Sequence, residues 1–430
     1  MMRLFRFFEG LVEPTASPAE TTPPPGLASF YWHYARQARW LVVALFCAGF
    51  LVAVLDSTIP VFIGRIVGLV ASSARDRLWQ EEWPQLVGMA AVLIVGRPLA
   101  LLAQNLITNQ AIVPGLTNLI RWQSHWHVVR QSWSFFQNDF AGRIANRVMQ
   151  TGPALRESVV AATNAVWYIT VYGSSAIVLT ARADLRLSIP IALWFCFYIV
   201  FLRVFVPRLR ERSREMSEVR SALTGRVVDS YTNIQTVKLF ARPRDEDAVV
   251  RESVDEHTLS FHKQQRVITL FGLSLSTLNA LMVVGTGGVA VWLWMHGAIG
   301  VGVVAMALPL TWQIANMAGW IAQNVTSIFE NVGVVQEGMR SIAVPRQMPD
   351  RPGAGTLRVD RGGVKFENVH FGYGTERGVL HGVDLTIQPG QRIGLIGPSG
   401  AGKSTLVNLL LRFYELEAGR ILIDGQDIAT

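Results

Sequence analysis

The sequence predicts an α-helical membrane bundle of six spans with long cytosolic helical extensions, followed by the start of an α/β P-loop domain. Three observations predict it. Six apolar segments reach the ~20 residues that a bilayer-crossing helix needs. Near the end of the chain, Gly397-Pro398-Ser399-Gly400-Ala401-Gly402-Lys403-Ser404-Thr405 keeps the spacing of a phosphate-cradling loop. Only 16% of the 430 residues are charged, against about 25% in ordinary globular chains, as expected where many side chains face lipid.

The elements follow in order. Met1 to Leu11 is short, aromatic and interrupted by Arg3, Arg6 and Glu9, so it lacks the apolar core of a cleavable secretory leader. Glu13 to Gly26 is rich in Pro, Thr and Ala, and residues 1–28 read as a flexible tail. The expected spans are Trp40 to Phe62, Leu86 to Ile107, Ser158 to Ala181, Leu187 to Val206, Val267 to Trp294 and Val303 to Ile328. No Asp, Glu, Lys or Arg occurs from Val267 to Phe329, so the last two spans form a hairpin turned at His296-Gly297-Ala298-Ile299-Gly300. Cys47 and Cys196 lie inside apolar runs and offer neither a disulfide framework nor a metal site.

Arginine sets the expected orientation. The connections between spans two and three (Arg121, Arg130, Arg143, Arg147, Arg156) and between spans four and five (Arg203 through Arg266) carry most of the +8 balance. Such an excess beside apolar spans reads as cytosolic anchoring, not as a nucleic-acid surface. Both termini then face the cytosol. Each long connection reads as a helical extension that reverses through a short element, Phe135 to Gly142 in the first and roughly Ser217 to Val227 in the second.

At the phosphate loop, Arg392-Ile393-Gly394-Leu395-Ile396 reads as a strand and Lys403 opens an apolar helix through Leu406, Leu409 and Leu410. Strand, glycine-rich loop and helix start in that order make an anion nest. Lys403 is expected on the β- and γ-phosphates, Ser404 on magnesium, and Thr405 as a further phosphate contact. The expected cofactors are therefore ATP and Mg2+. Val364 to Tyr373 reads as a strand and turn leading toward this loop.

With these residues in view, positions 29–430 resemble an ATP-binding cassette (ABC) exporter of the half-transporter type. The landmarks are Phe135-Phe136-Gln137-Asn138-Asp139-Phe140-Ala141-Gly142-Arg143 in the first reversal and Ile234-Gln235-Thr236-Val237-Lys238-Leu239-Phe240 after the second. The resemblance implies a transmembrane domain at 29–335, a linker at 336–362 and the N-terminal part of the nucleotide-binding domain at 363–430. It implies that Tyr373 stacks on adenine and that the reversals are coupling helices, acting through Asn138 and Asp139 and through Arg220 to Gly225. Gly225 stands where many members carry a glutamate. Phe30, Tyr31, Trp32 and Tyr34 resemble the family's interfacial elbow helix.

It further implies a second half-transporter chain as partner, with a homodimer favoured, and a bilayer of the bacterial inner membrane type. The signature sequence, catalytic glutamate and switch histidine of the family come after the region where this sequence ends. No catalytic residue is therefore expected in the chain as given, nor hydrolysis by it alone. The rival expectation is a truncated, non-catalytic membrane subunit that binds nucleotide weakly. A membrane-anchored P-loop kinase finds no acceptor-binding segment in the sequence.

Substrate residues are read from one helical face of span six, where Gln313, Asn316, Trp320, Gln323 and Ser327 recur at spacings of three and four. This stripe either lines a cavity or bonds neighbouring helices. Asp56 and Arg97 lie in or near spans one and two, where charges face protein or water, and they are expected to pair or to contact cargo. An amphipathic, lipid-like or drug-like small molecule is the expected substrate.

Overall fold

The computed structural model describes residues 2–18, 22–72, 82–137, 139, 141–240, 243–348, 353–374 and 378–429, with the side chains of 168, 217, 221, 243, 322, 323 and 326 outside the description. The chain divides into two compact units, one of residues 1–14, 34–118 and 152–335, the other of 15–33, 119–151 and 336–430.

The described residues up to Ile342 are mostly helical, and both units draw on these helices. Helix α1 spans Met2–Glu9, α2 Leu27–Ala35 and α3 Arg39–Ser72. Helices α4 (Trp83–Ala91), α5 (Arg97–Asn105) and α6 (Thr117–Val128) are joined end to end by the π-helical stretches Val92–Gly96 and Leu106–Leu116. After α7 (Trp133–Gln137), α8 (Ala141–Trp167) and α9 (Gly173–Ala183) are joined in the same way through Tyr168–Tyr172. Then come α10 (Leu185–Thr232), α11 (Ile234–Leu239), α12 (Pro243–Met295) and α13 (Val301–Ile342).

Among the described residues, five helical stretches are long and apolar enough to cross a membrane: Leu27–Ser72, Trp83–Val128, Leu185–Thr232, Arg244–Met295 and Val301–Ile321. The remaining expected span, 158–181, lies in the continuous helical run of α8 and α9, which carries Ser158, Thr163, Asn164, Ser174 and Ser175 among its apolar residues. On α10, Ile189, Leu193, Phe197, Val200 and Val204 form an exposed apolar stripe at helical spacing, a surface suited to lipid and not to water.

Local chemistry sets the ends. Asp184 caps α10 by accepting from the Arg186 amide at 2.8 Å. Helix α12 closes in a Schellman turn: Gly297 takes the left-handed conformation (φ +72°), its amide donates to Trp294 O, and the Ala298 amide donates to Leu293 O, both at 2.9 Å. Inside, Trp194 stacks on Tyr198 with centroids 4.7 Å apart, and the polar tip of each is satisfied, by Asn279 and by the Ala318 carbonyl.

The second unit holds the sheet. Strands β1 (Val364–Phe371), β2 (Leu380–Ile387), β3 (Ala418–Ile423) and β4 (Gln426–Asp427) lie in the order β2-β1-β3-β4, all antiparallel. Helix α14 (Lys403–Leu410) packs Leu409 onto Phe366, Val369, Phe371, Leu380 and Ile421.

Three expectations are corrected. The N-terminal segment is no bare tail, because α1 is helical and Val12 is buried against Gly115. The second reversal is not at 217–227, where α10 runs on unbroken through Arg220 and Gly225. One glycine costs a helix only about 1 kcal/mol, which the surrounding helix formers absorb. The break comes at Asn233, whose side chain donates to Asp229 O at 3.0 Å as the helix ends. Residues 392–396 form no strand, and Ile396 is 98% exposed, since no described segment runs alongside to supply a ladder.

Candidate functional site

In the phosphate loop, Gly400 and Gly402 adopt φ of +85° and +81°, which only glycine does without strain. A methyl group on Gly402 would also stand 2.7 Å from Leu380 Cδ2. The loop therefore turns back on itself and α14 starts at Lys403. Lys403 Nζ donates to the carbonyls of Gly397 and Pro398, each at 2.8 Å, which holds the ammonium over the loop. Ser404 is exposed and Thr405 buried. The Tyr373 and Thr405 hydroxyls share a hydrogen bond of 3.2 Å, so the ring following β1 is fixed beside the loop. Pro398 O accepts from the Ala401 amide at 3.2 Å, closing the turn through Ser399.

Tyr373 also meets Tyr414 edge to face, with centroids 5.2 Å apart. Tyr414 donates to Gln137 Oε1 at 2.7 Å, and Trp133 stacks on Phe413 at 5.4 Å. Helix α7, in the first expected reversal, thus lies against the segment that follows α14. Burial, and then the neighbouring Tyr373, raise the Tyr414 hydroxyl above its ordinary pKa, so it remains a donor. Asp139 accepts from Arg143 and Arg147, each at 2.6 Å, and Arg147 also pairs with Glu337. Asn138 lies outside the described residues. Neither Trp133, Phe413 nor Tyr414 stood out in the sequence.

Asp424 has a different task from magnesium binding. Its carboxylate accepts from the amides of Asp360, Arg361, Gly362 and Gly363 at 2.7–3.0 Å. These bonds to the charged form hold its pKa down to about 2.

In the first unit, the helices line an open cavity of about 940 Å³. Gln313, Asn316 and Trp320 of α13 line it, while the Gln323 side chain lies outside the description. Asp56 and Arg97 share the wall and pair at 2.5 Å, Tyr172 donates to Asp56 Oδ2 at 2.8 Å, and Gln313 donates to the Asp56 carbonyl at 3.4 Å. Gln313 Oε1 is buried with no hydrogen-bond partner among the described residues. Trp312, 64% exposed, adds a broad aromatic face. Tyr172 and Trp312 were missed in the sequence, although Trp312 falls on the same helical face as the stripe. Arg220 and Gly225 are exposed on α10, and nothing lies within 4 Å of a methyl group placed on Gly225.

A fused helical bundle and phosphate loop define a membrane ATPase class, and comparison gives the family. The model of the ABC transporter transmembrane region matches residues 42–315, and that of the ABC transporter matches 380–430. An uncharacterised ABC transporter ATP-binding protein of Haemophilus influenzae is 35% identical over 99% of this chain and 69% of its own length. An ATM1-type heavy metal exporter of Novosphingobium aromaticivorans is 33% identical over 51% of this chain and 36% of its own. The human ATP-binding cassette sub-family B member 6 is 25% identical over 94% of this chain, which spans 48% of that protein. The structure of a bacterial Atm1-family ABC exporter with ATP bound matches with a TM-score of 0.69 at 21% identity, covering 92% of this chain and 68% of that one. The chain belongs to the ABC transporter family and is an integral, multi-pass membrane protein with the half-transporter arrangement.

Proposed function

We propose that the protein works as half of an ATP-driven exporter, moving an amphipathic small molecule out of the cytosol as a dimer of two such chains. One observation carries this reading: a glycine loop bent to present backbone amides to phosphate sits in the same chain as a membrane bundle with a cavity of about 940 Å³. The loop fits a nucleotide polyphosphate with its metal. Gly402 turns the backbone in a left-handed conformation close against Leu380, where no side chain fits, Lys403 is held above the loop, and Ser404 presents an exposed hydroxyl at the helix start.

In this reading loop amides such as those of Ser399, Gly400 and Gly402 and the Lys403 ammonium bind the β- and γ-phosphates, Thr405 adds a contact, and Tyr373 stacks on adenine. Ser404 would ligate Mg2+, which supplies positive charge against the phosphates. The contacts Trp133–Phe413 and Gln137–Tyr414 support α7, with Asp139, as a coupling element. For Arg220 and Gly225 that role has less support, since the turn lies at Asn233. We place the domains at 29–335, 336–362 and 363–430; β1 starting at Val364 supports the last boundary, whereas α13 continues through 336–342. Arginine-rich connections support cytosolic termini in a bacterial inner membrane.

For the cargo, Gln313, Asn316, Trp312 and Trp320 offer amide groups and aromatic faces in a largely apolar wall that also holds the Asp56–Arg97 pair and Tyr172, a mixture that suits amphipaths. Transport requires that ATP favour one conformation of the bundle over another.

The test is ATPase and efflux activity of the full-length protein in proteoliposomes. Lys403→Ala should lower ATP turnover about 100-fold or more, by analogy with the loss of one transition-state donor, and abolish efflux with it. Unchanged turnover in that variant would reject the loop assignment.

A further inference from the structure

Residues 2–12 present two unlike faces. Phe5, Phe8 and Val12, at spacings of three and four, are the less exposed set, and Val12 is buried where a methyl group on Gly115 would stand 2.7 Å from its Cβ. Leu4, Phe7 and Leu11 recur at the same helical spacing and are 42%, 63% and 42% exposed. Arg3 and Arg6 are exposed beside them. The segment is therefore pinned on one side and apolar with cationic flanks on the other.

Its place along the membrane follows from where it is pinned. The apolar core of span two ends near Ile107, and Thr108-Asn109-Gln110 mark the exit. Gly115 lies in the same π-helical stretch, Leu106–Leu116, so α1 packs beside the end of span two. A helix held there reaches lipid without unfolding anything.

We propose that α1 and the turn after it form an interfacial anchor for anionic lipid: Leu4, Phe7 and Leu11 enter the headgroup–acyl boundary of the cytosolic leaflet, while Arg3 and Arg6 meet lipid phosphates. Two physical arguments select lipid as the occupant. Apolar side chains flanked by arginine on a short helix are the pattern of monotopic binding, and the leaflet on that side carries the negative charge. Three side chains also fall far short of the ~800 Å² per partner that a specific protein interface needs. Through Val12 and Gly115 the anchor bears on the π-helical stretch Leu106–Leu116, so binding would brace span two at its cytosolic exit. Only the choice of leaflet rests on the orientation proposed above.

The experiment places an environment-sensitive fluorophore on Phe7→Cys, and separately on Leu4→Cys, with Cys47→Ser and Cys196→Ser removing the native thiols. The whole chain goes into nanodiscs of neutral phosphatidylcholine, or of phosphatidylcholine mixed with phosphatidylglycerol, each containing lipids with a quencher at shallow acyl depth. Quenching is expected in the anionic discs, weakly in neutral ones. Arg3→Gln with Arg6→Gln should lower the insertion equilibrium about thirtyfold, at roughly 1 kcal/mol per arginine. Equal quenching in both lipids, or none in either, overturns the proposal. So does a dry label in lipid-free detergent that becomes wet on dilution, which would assign the face to a second copy.

Discussion

The phosphate loop and the membrane cavity solve the problem of presenting polar groups in opposite ways. The loop is nine consecutive residues whose functional atoms are mostly backbone amides, aimed by the left-handed conformations of Gly400 and Gly402. The cavity gathers Asp56, Arg97, Tyr172 and Gln313 from separate helices, and these side chains hold one another in place. A loop of the first kind tolerates almost no added atom yet is indifferent to which neutral side chains flank it. A cavity of the second kind accepts changes of size but not the loss of one member of a pair.

Four measurements would sharpen that contrast, the first having the largest effect. Gly402→Ala adds a left-handed penalty of about 1–2 kcal/mol and an overlap with Leu380. Together they should destabilise by roughly 2–4 kcal/mol and weaken fluorescent-nucleotide binding more than tenfold. Wild-type affinity in that variant would mean that the loop geometry is not what binds. In the cavity, Arg97→Ala leaves a carboxylate without its cation. The cost should be roughly 2 kcal/mol in a detergent melt, below the 3–5 kcal/mol of fully buried pairs because Arg97 is 38% exposed. Asp56→Asn with Arg97→Gln should recover most of it, and a double variant as unstable as the single would refute pairing as the cause.

A smaller effect is expected between α7 and the segment after α14. Tyr414→Phe removes the bond to Gln137 while keeping the ring, a loss of about 0.5–1.5 kcal/mol. ATP affinity should stay within twofold while the number of substrate molecules exported per ATP falls; Gln137→Ala should do the same without adding to it. Additive effects would separate the two residues. The smallest change is a pH dependence. Because the folded pKa of Asp424 is depressed to about 2, its contribution is complete above the unfolded value near 4 and is lost as pH falls toward 2. Asp424→Asn should flatten that acid limb of the melting curve, and an unchanged limb would exclude the turn at 360–363 as its source.

The same contrast explains what could be read before the structure. Lys403 and the glycines announce themselves because every partner lies within a few residues. Span six gave up Gln313, Asn316 and Trp320 through helical spacing, but Tyr172 entered the wall from another helix and left no pattern. Tyr414 and Gln137 are 277 positions apart, beyond any local signal. The second reversal was misplaced because Gly225 and a cluster of arginines resemble a break, whereas Asn233 makes one. The strand at 392–396 was inferred from composition, yet a strand exists only through a neighbour's ladder. For α1, the spacing of Phe5, Phe8 and Val12 was a usable sign, masked by the proline-rich run that follows.

The pairing of Asp56 with Arg97 has an electrical consequence. Moving one elementary charge through 100 mV costs about 2.3 kcal/mol, and these two are the oppositely charged residues in the cavity wall. Their sum is zero. In the transport cycle proposed above, a wall turning from one face of the bilayer to the other would therefore carry no net charge from this pair.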